Sequence, residues 1–452
     1  MGFFSKKISK GINTSNNSQS PQSFVMGVLD VFQLLNSKDL VVVGHVKGTV
    51  SVGAAVYASN VGDDDGQIFL TTVLGIETGP NQTTKEATDC TVGLKLEKGK
   101  SYPFKKGTVL YTRDQSVSEV HSAYIGALGD TYVAKQNLEL SDQEIESLSI
   151  TDCAEIWRLF IWYKSQSSNN ESEEQIKLNQ GKVNRLAAAL CKKILNAKEI
   201  FYVQNKATGE PHLYSKTMKQ NDEYVCTPPD ILIFTKAYAE MMKKAFPEEK
   251  FEIVRVDNGG DGKGIYNFLG STFYLNGACG VQVVSEQTAI SAKMLVPEPD
   301  YSNVRPQDIP VTNPNLVRWM LLIGQMEKIE GNDAELIYKL YYRFLSREVR
   351  KARFLIPMKN DSQIPQPDED GKTILEKGTN LQLATMDGKY DRPALLMYTD
   401  WKRLRMRYDE QWGGLIQTID GVIHTFDCAI NATQYPKAGS YIDQEMFLSA
   451  TT

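Results

Sequence analysis

The feature that most constrains the fold of this chain is a junction of strand and helix that occurs twice. In both places a buried apolar strand ends in threonine, and a helix begins directly after it. The first junction joins Ile231–Thr235 to Lys236–Glu240, and the second joins Ala394–Thr399 to Asp400–Leu404. One fold used twice explains this repetition most simply, so the sequence predicts a duplicated α+β domain.

The elements around the two junctions follow the same order. An amphipathic helix precedes each one, with an apolar stripe at helical spacing over Val183–Leu195 in the first copy and Ile337–Leu345 in the second. The proline-rich stretch Pro297–Pro314 has no apolar period, which is typical of a linker. The predicted domain boundaries are 151–296 for the first copy, 297–312 for the linker and 313–452 for the second copy.

The segment Phe24–Thr112 shows a different pattern, with short strands of β-branched residues separated by glycines. Valines alternate with polar residues and glycines over Val46–Gly53. Dense short strands with glycine at the corners are typical of a small antiparallel barrel. The predicted fold class is therefore multidomain β plus α+β. A small antiparallel β-barrel over 21–115 and a connector over 116–150 are followed by two related α+β domains.

A family resemblance in this segment is carried by Leu29–Phe32, Val42–Val50, Val52-Gly53, Gly75–Glu77, Val92–Leu94 and Lys106–Leu110. In order and spacing these blocks resemble the second, β-barrel domain of elongation-factor-Tu-type translational GTPases. The family's glycine-rich turn is replaced by Asn36–Asp39. The resemblance implies the barrel fold but not GTP hydrolysis, because only a short tail stands where that family has its GTPase domain. The sequence also contains no GxxxxGK[ST] loop.

A second resemblance is carried by Asn313–Leu316, Ala352–Pro357, Leu381–Gly388 and Pro393–Trp401. From Asn313 to about Tyr435 the chain resembles the N-terminal domain of SseB-type proteins. The first copy matches less completely, since Val203 stands where the family has proline. The resemblance implies a fold and a bacterial source, and the family offers no established catalytic residues.

Composition excludes several classes of function. The net charge is -5 and the isoelectric point about 5.7, so the chain is not a general polyanion binder and DNA is not expected as a partner. The six cysteines form no CxxC pair and the four histidines lie far apart, so neither a metal site nor a cofactor is predicted. Free thiols are typical of a reducing compartment, and we expect a cytoplasmic location.

Residues 1–20 begin with lysines and continue into a sequence rich in Asn, Ser and Gln, which predicts a disordered tail. Phe3, Phe4 and Ile8 beside the lysines are candidates for a weak contact with a membrane surface. A solvated tail is the favoured interpretation.

Two basic groups are candidates for a partner surface. The residues of the first are Arg343, Arg347, Arg350, Lys351 and Arg353, and those of the second are Lys402, Arg403, Arg405 and Arg407. The first group surrounds a helix end, where cations interact favourably with the helix dipole. The second group begins in a first helical turn, where cations are mildly unfavourable, so it is the predicted partner surface. A solvated helix face is the competing interpretation.

Two further features have structural and chemical interpretations. Thr235 and Thr399 are potential nucleophiles, but no His or Lys lies reproducibly beside both, and threonine before a helix is an ordinary N-cap. The glycine-rich loop Asp257–Gly264 would need a following helix to cradle phosphate. Ile265–Gly270 does not predict one, so a turn is favoured over a phosphate or cation site.

These observations favour a non-catalytic cytoplasmic binding or scaffold protein that acts through protein–protein contacts. The alternative is a translation-associated factor that binds RNA or the ribosome through the N-terminal barrel, as the barrel does in the family that it resembles. A third hypothesis is an enzyme of unfamiliar type, which a deep pocket joining titratable groups from both repeats would support.

Overall fold

The structure, a computed structural model, describes residues 23–64, 66–133, 137–166, 172–221, 223–285, 287–305, 308–326, 331–360, 380–389 and 392–449. These residues form two compact units. The first holds the described residues of 1–61 and 66–131, and the second holds those of 62–65 and 132–452. The predicted tail with Phe3, Phe4 and Ile8 lies outside the described residues. Within the described ranges, no helix combines the length and the apolar character needed to cross a membrane.

The first unit contains a closed β-barrel. Its strands are β1 (Phe24–Gln33), β2 (Leu40–Ser51), β3 (Ala55–Ser59), β4 (Ile68–Gly79), β5 (Gln82–Thr84), β6 (Glu86–Thr88), β7 (Thr91–Leu96) and β8 (Val109–Tyr111). Six of them form a ring in the order β1-β8-β3-β4-β7-β2, and β2 pairs back to β1. All pairs in the ring are antiparallel. The predicted small antiparallel barrel is therefore confirmed.

The pattern along β2 shows why this segment closes into a barrel. Leu40, Val42, Val46 and Val50 are buried in the barrel core and Gly44 is buried as well, while the other residues of β2 are half-buried or exposed. Full burial of one such side chain contributes about 1.5–3 kcal/mol relative to exposure. The barrel is followed by α1 (Val117–Tyr132), which lies in the stretch predicted as a connector.

The second unit begins with α2 (Asp142–Ser147), where the Ser141 and Glu144 side chains each bond the other's backbone N–H in a capping box. The first α+β module then comprises α3 (Ile150–Gln166), α4 (Glu173–Asn196), β9 (Glu199–Asn205), β10 (Glu210–Pro211), β11 (Leu213–Tyr214), β12 (Thr217–Gln220), β13 (Glu223–Cys226), β14 (Asp230–Phe234), α5 (Lys236–Ala245), β15 (Phe251–Asp257), α6 (Gly264–Tyr274), β16 (Gly280–Val283), β17 (Ala289–Ser291) and α7 (Ala292–Leu295).

The second α+β module follows in the same unit. It comprises α8 (Pro314–Gly324), α9 (Asn332–Lys351), β18 (Arg353–Asn360), β19 (Leu381–Leu383), β20 (Thr385–Asp387), β21 (Pro393–Met397), α10 (Trp401–Arg405), β22 (Gly413–Thr418), β23 (Asp427–Ile430), β24 (Ser440–Ile442) and α11 (Gln444–Ser449). A short 3-10 helix (Ile419–Gly421) lies between β22 and β23.

The two modules share one sheet topology. The strand order is β15-β9-β14-β16-β17 in the first and β22-β18-β21-β23-β24 in the second, where β18 meets β21 through the bridge between Leu355 and Tyr398. Among the described strands of the two modules, only the pairs β14–β16 and β21–β23 are parallel. The short strands also correspond: β10 pairs with β9 as β19 pairs with β18, and β11 pairs with β14 as β20 pairs with β21.

Backbone detail after the parallel strands repeats as well. Val284 and Asn431 both have left-handed backbones, with φ of 64° and 52°. The N–H of Val284 donates to the carbonyl of Ile233 at 2.9 Å, and that of Asn431 donates to the carbonyl of Met397 at 2.8 Å. A β-branched valine avoids such a conformation unless the surrounding fold imposes it. The predicted pair of related α+β domains is therefore confirmed.

Two segments differ from the prediction. Helix α6 begins at Gly264, the last residue of the loop Asp257–Gly264, although the sequence predicted no helix there. Its start depends on Asn258, whose side chain accepts from the N–H of Ile265 at 3.2 Å and donates to the carbonyl of Leu195 at 2.8 Å. In the second module the apolar sequence of Val422–Phe426 predicts a strand, but this segment, which follows β22 as α6 follows β15, forms turns in which the N–H of Phe426 donates to the carbonyl of Val422.

Candidate functional site

The four cations of the predicted partner surface lie on α10 or directly after it, in different environments. Lys402 and Arg407 are exposed. Arg405 is half-buried, with its guanidinium 4.9 Å from the ring centroid of Trp401. Arg403 is only 2% exposed, so the assignment of this residue to a partner surface is corrected. A partner surface formed by the other three cations stays a prediction.

Arg403 reaches from the second module into the first. Its guanidinium donates to the carboxylate of Glu210 and to the side-chain oxygen of Asn276, both at 2.8 Å, and to the carboxylate of Asp400 at 2.6 Å. The Asn276 amide donates to the other Glu210 oxygen at 2.9 Å. All four side chains are buried, and the exposed ammonium of Lys402 lies 3.4 Å from Glu210. Charge-assisted bonds of this kind are about twice as strong as neutral ones, so the cluster joins the two modules firmly.

The helix cap beside this cluster differs from the prediction. Asp400, one residue after Thr399, is the N-cap of α10 and accepts from the backbone N–H of the third residue after it at 3.0 Å. The Thr399 hydroxyl donates to Asp400 at 2.8 Å and accepts from the Asn431 amide at 3.0 Å. In the first module Thr235 is the N-cap of α5, and its hydroxyl lies 3.0 Å from that of Thr151. Both threonines are therefore tied into the structure.

Titratable groups from both modules meet in the Arg403 cluster, as the hypothesis of an enzyme would require. Each of these charges has an opposite charge within 3.4 Å inside the protein. Buried, mutually neutralised charges hold packed surfaces in one arrangement. The cluster is thus a structural connection between the modules. Among the described residues, no group of three or more His, Cys, Asp or Glu side chains could hold a metal ion.

A separate feature is an open cavity of about 650 Å³ on the sheet of the first module. Side chains alternate along β14, so Ile231 lies on one face of the sheet and Asp230 on the other. The face with Asp230 lines the cavity. Gln282 of β16 and Ser291 of β17 line it beside Asp230. Ligand cavities of proteins typically have volumes of about 300–1,000 Å³, so this cavity is large enough to receive a ligand group.

The walls of the cavity are aromatic and polar. The rings of His212 and Tyr214 meet edge-to-face, with centroids 4.7 Å apart. In the part of the chain that the structure describes, the buried Tyr214 hydroxyl has no hydrogen-bond partner. The side chain of Lys216 lines the cavity and is exposed. The cavity thus has an aromatic wall, behind which the Tyr214 hydroxyl is buried.

Electrostatics distinguishes two groups in this cavity. Burial raises the pKa of Asp230 to about 6, against the opposing effect of a hydrogen bond from Gln282. Burial also raises the pKa of the Cys279 thiol. A thiol with a raised pKa stays protonated at neutral pH and is a poor nucleophile. The chemically distinctive group is therefore the Asp230 carboxylate, which the fold keeps in a partly dehydrated position.

The corresponding face of the second module is closed. Register places Ala394 where the first module has Asp230, and Ala429 where it has Gln282. Both alanines are buried in an apolar cluster with Leu396, Tyr398 and Leu404. Tyr408, Trp412 and Tyr441 pack against that cluster. The same fold thus has a filled, largely apolar face in one module and an open polar face in the other.

We expect Asp230→Asn to stabilise the second unit at pH 8 by about 1 kcal/mol, a value reduced for the partial exposure of the carboxylate. The folded pKa of about 6 lies above the ordinary aspartate value of 3.8, so ionisation above pH 6 opposes folding. Asparagine resembles the neutral acid, and the gain should vanish near pH 4. The gain in stability is measured by denaturation at pH 8 and at pH 4, with tryptophan fluorescence as the signal. An equal gain at pH 4 would contradict the electrostatic origin.

Sequence reasoning missed this cavity because Asp230 precedes an apolar strand and resembles an ordinary strand boundary. The available signal was the comparison of the two repeats. Aligned at Thr235 and Thr399, the first copy has a carboxylate where the second has Ala394. A charged residue in place of an alanine in one of two equivalent strands marks a position with a different role.

No family model and no curated protein matches the chain. Solved structures of translation elongation factor SelB from Methanococcus maripaludis match at 20% identity with a TM-score of 0.18. The apo form covers 21% of this chain and 20% of SelB, and the complex with the GTP analogue GppNHp covers 23% and 22%. The chain thus spans about a fifth of the length of these proteins.

Proposed function

We propose that this chain is a non-catalytic binding protein that acts through protein–protein contacts, with the open polar face of the first module as the partner site. The observation that carries the proposal is the difference between two equivalent sheet faces, one packed with Ala394 and Ala429 and the other open at Asp230 and Gln282. A partly dehydrated carboxylate opposes folding when ionised, and such costs are typical of functional sites. The SseB-like assignment, the cytoplasmic location and the bacterial source stay predictions.

A protein partner fits the position of this cavity. The cavity lies beside β17, the terminal strand of its sheet, and Ala289 and Ser291 of that strand are exposed. A terminal strand offers its backbone to an extended peptide, and side chains of the peptide enter adjacent pockets. The β12–β13 hairpin follows the lining residue Lys216 and carries the exposed Met218. The cavity is thus bordered by a strand edge and a hairpin, which together suit a polypeptide ligand.

The test uses Ala289→Tyr, which places in the first module the tyrosine that Tyr441 provides at the equivalent position of the second. Ala289 is exposed, so the larger side chain fits without disturbing the core. Tagged full-length protein is purified from its native host, and the proteins that copurify are quantified by mass spectrometry. We expect Ala289→Tyr to reduce a specific partner about tenfold or more, which corresponds to about 1.4 kcal/mol.

The matched variant is Arg407→Ala, which alters the basic surface predicted from the sequence and leaves the cavity unchanged. Retention of the partner by this variant supports the cavity as the partner site. Loss with Arg407→Ala but not with Ala289→Tyr would move the site to the basic surface. The absence of any specific partner for the unmodified protein would overturn the proposal of a binding protein.

A further inference from the structure

The second module contains a carboxylate at almost the same place as Asp230, but with internal partners. Asp427 lies on β23 and pairs with Ala394, the equivalent of Asp230. Its side chain is 1% exposed and accepts from the Tyr441 hydroxyl at 2.6 Å and from the backbone N–H of Gln444 at 2.9 Å. The second module thus shows which groups satisfy a carboxylate on this sheet face: two donors that approach from the side of the terminal strand.

The first module has the carboxylate without these donors. Register places Gly280 where the second module has Asp427, and the carboxylate stands instead on the neighbouring strand as Asp230. A Cβ atom on Gly280 would overlap the carbonyl oxygen of Ile290 and would lie 3.0 Å from Asp230 Oδ1, so the glycine leaves room both for β17 and for the displaced carboxylate. The position of Tyr441 is occupied by Ala289, whose methyl group supplies no hydroxyl. The space so vacated is part of the cavity.

The chemistry of the missing donors limits the group that binds. A partner group must donate hydrogen bonds to Asp230 and must not be anionic. The edge-to-face pair of His212 and Tyr214 offers aromatic surface beside it. A guanidinium meets these conditions best, because it is planar, binds a carboxylate through two parallel N–H groups and stacks on aromatic rings. An ammonium group has no planar face to stack. Neutral donors serve Asp427, where the charges of Arg392 and Lys389 also lower the pKa of the carboxylate, but no cation has this effect on Asp230.

We infer that the cavity of the first module receives an arginine side chain of the partner, with Asp230 as its anchor and the His212–Tyr214 pair as its aromatic wall. This inference rests on the proposed function, since it names the chemistry by which the partner is recognised. Lys216 lines the same cavity, but its side chain is exposed and so lies at the solvent side. The guanidinium supplies to Asp230 the donors that Tyr441 and Gln444 supply to Asp427.

The experiment titrates the full-length protein with N-acetyl-arginine amide and with the citrulline analogue, which has the same shape without the charge. Binding is measured by calorimetry at pH 7.5. We expect a Kd on the order of 1–10 mM for the arginine probe, as befits one anchored side chain. The citrulline probe should bind at least about tenfold more weakly, and so should the arginine probe to Asp230→Asn.

The matched control is Glu410→Gln, which removes one negative charge at a side chain that is 89% exposed in the second module. It should leave the affinity for the arginine probe unchanged. Equal binding of both probes, or no measurable binding of the arginine probe, would overturn the inference. Loss of a partner with Ala289→Tyr combined with equal binding of both probes would leave the proposed function standing. If the arginine probe binds through Asp230 but no specific protein copurifies, the arginine site would stand and the proposed function would be contradicted.

Discussion

Replacing Arg403 with methionine is expected to destabilise the second unit by about 3–5 kcal/mol, the usual result when one partner of a buried ion pair is removed. The substitution keeps most of the side-chain volume but leaves two carboxylates, those of Glu210 and Asp400, without the guanidinium that neutralises them. Both carboxylates are buried, so water replaces the lost bonds only if the contact between the modules opens. Arg403 is thus expected to dominate the stability of this contact.

The measurement is specific for the second unit. All five tryptophans of the chain, Trp157, Trp162, Trp319, Trp401 and Trp412, belong to this unit, so their fluorescence during denaturation reports its unfolding and not that of the barrel. The control is Lys402→Met, which removes the neighbouring cation. Its ammonium is 41% exposed and contacts Glu210 at 3.4 Å. Exposed pairs of this kind contribute about 0–1 kcal/mol, and a similar loss from both variants would refute the special role of Arg403.

A compensated variant separates the effect of charge from that of packing. Glu210→Gln and Asp400→Asn remove the two carboxylate charges and keep hydrogen-bonding side chains in place. The second module already has glutamine, Gln382, at the position equivalent to Glu210. Combined with Arg403→Met, these changes should recover at least about half of the lost stability, because no unpaired charge remains buried. Without recovery, the loss would have to come from packing.

The sequence predicted those parts of the fold that depend on local patterns. The barrel follows from the alternation along Leu40–Ser51, and the duplication follows from two strands that end in threonine before a helix. The strand pairing places Phe234 and Tyr398 at equivalent positions of the two sheets, and each directly precedes the threonine of its junction, Thr235 or Thr399. Local pattern failed at α6, because its cap comes from Asn258 across a glycine-rich loop and not from a residue next to the helix.

The candidate site depended on contacts that no local pattern contains. Arg403 is separated from Glu210 by 193 positions and from Asn276 by 127, so a helix of cations resembled an exposed surface until the modules were placed together. The role of Asp230 likewise depends on what surrounds it, and its position at the start of an apolar strand carries no sign of a cavity. Comparing the repeats residue by residue would have shown the substitution of alanine by aspartate, but not the open space.

Replacing Gly277 with alanine is expected to destabilise the second unit by about 3 kcal/mol or more, because steric overlap adds to backbone strain. Gly277 follows α6 in the first module and has a φ of +78°, which disfavours any side chain. A Cβ atom there would lie 2.1 Å from the carbonyl oxygen of Pro314, the first residue of α8. The Gly277 carbonyl accepts from Arg318 at 2.6 Å, so the backbone is fixed against the second module and cannot move away cheaply.

Gly262 provides a matched control for this prediction. Its φ of +68° imposes nearly the same backbone strain, but no atom lies within 4 Å of the position of its Cβ. Gly262→Ala is therefore expected to cost only the conformational term of about 1–2 kcal/mol. The difference between the two variants, measured by tryptophan fluorescence during denaturation, isolates the close approach of the modules. If both variants lose the same stability, Gly277 and Pro314 are not in contact in solution, and the two modules are held by side chains such as Arg403 alone.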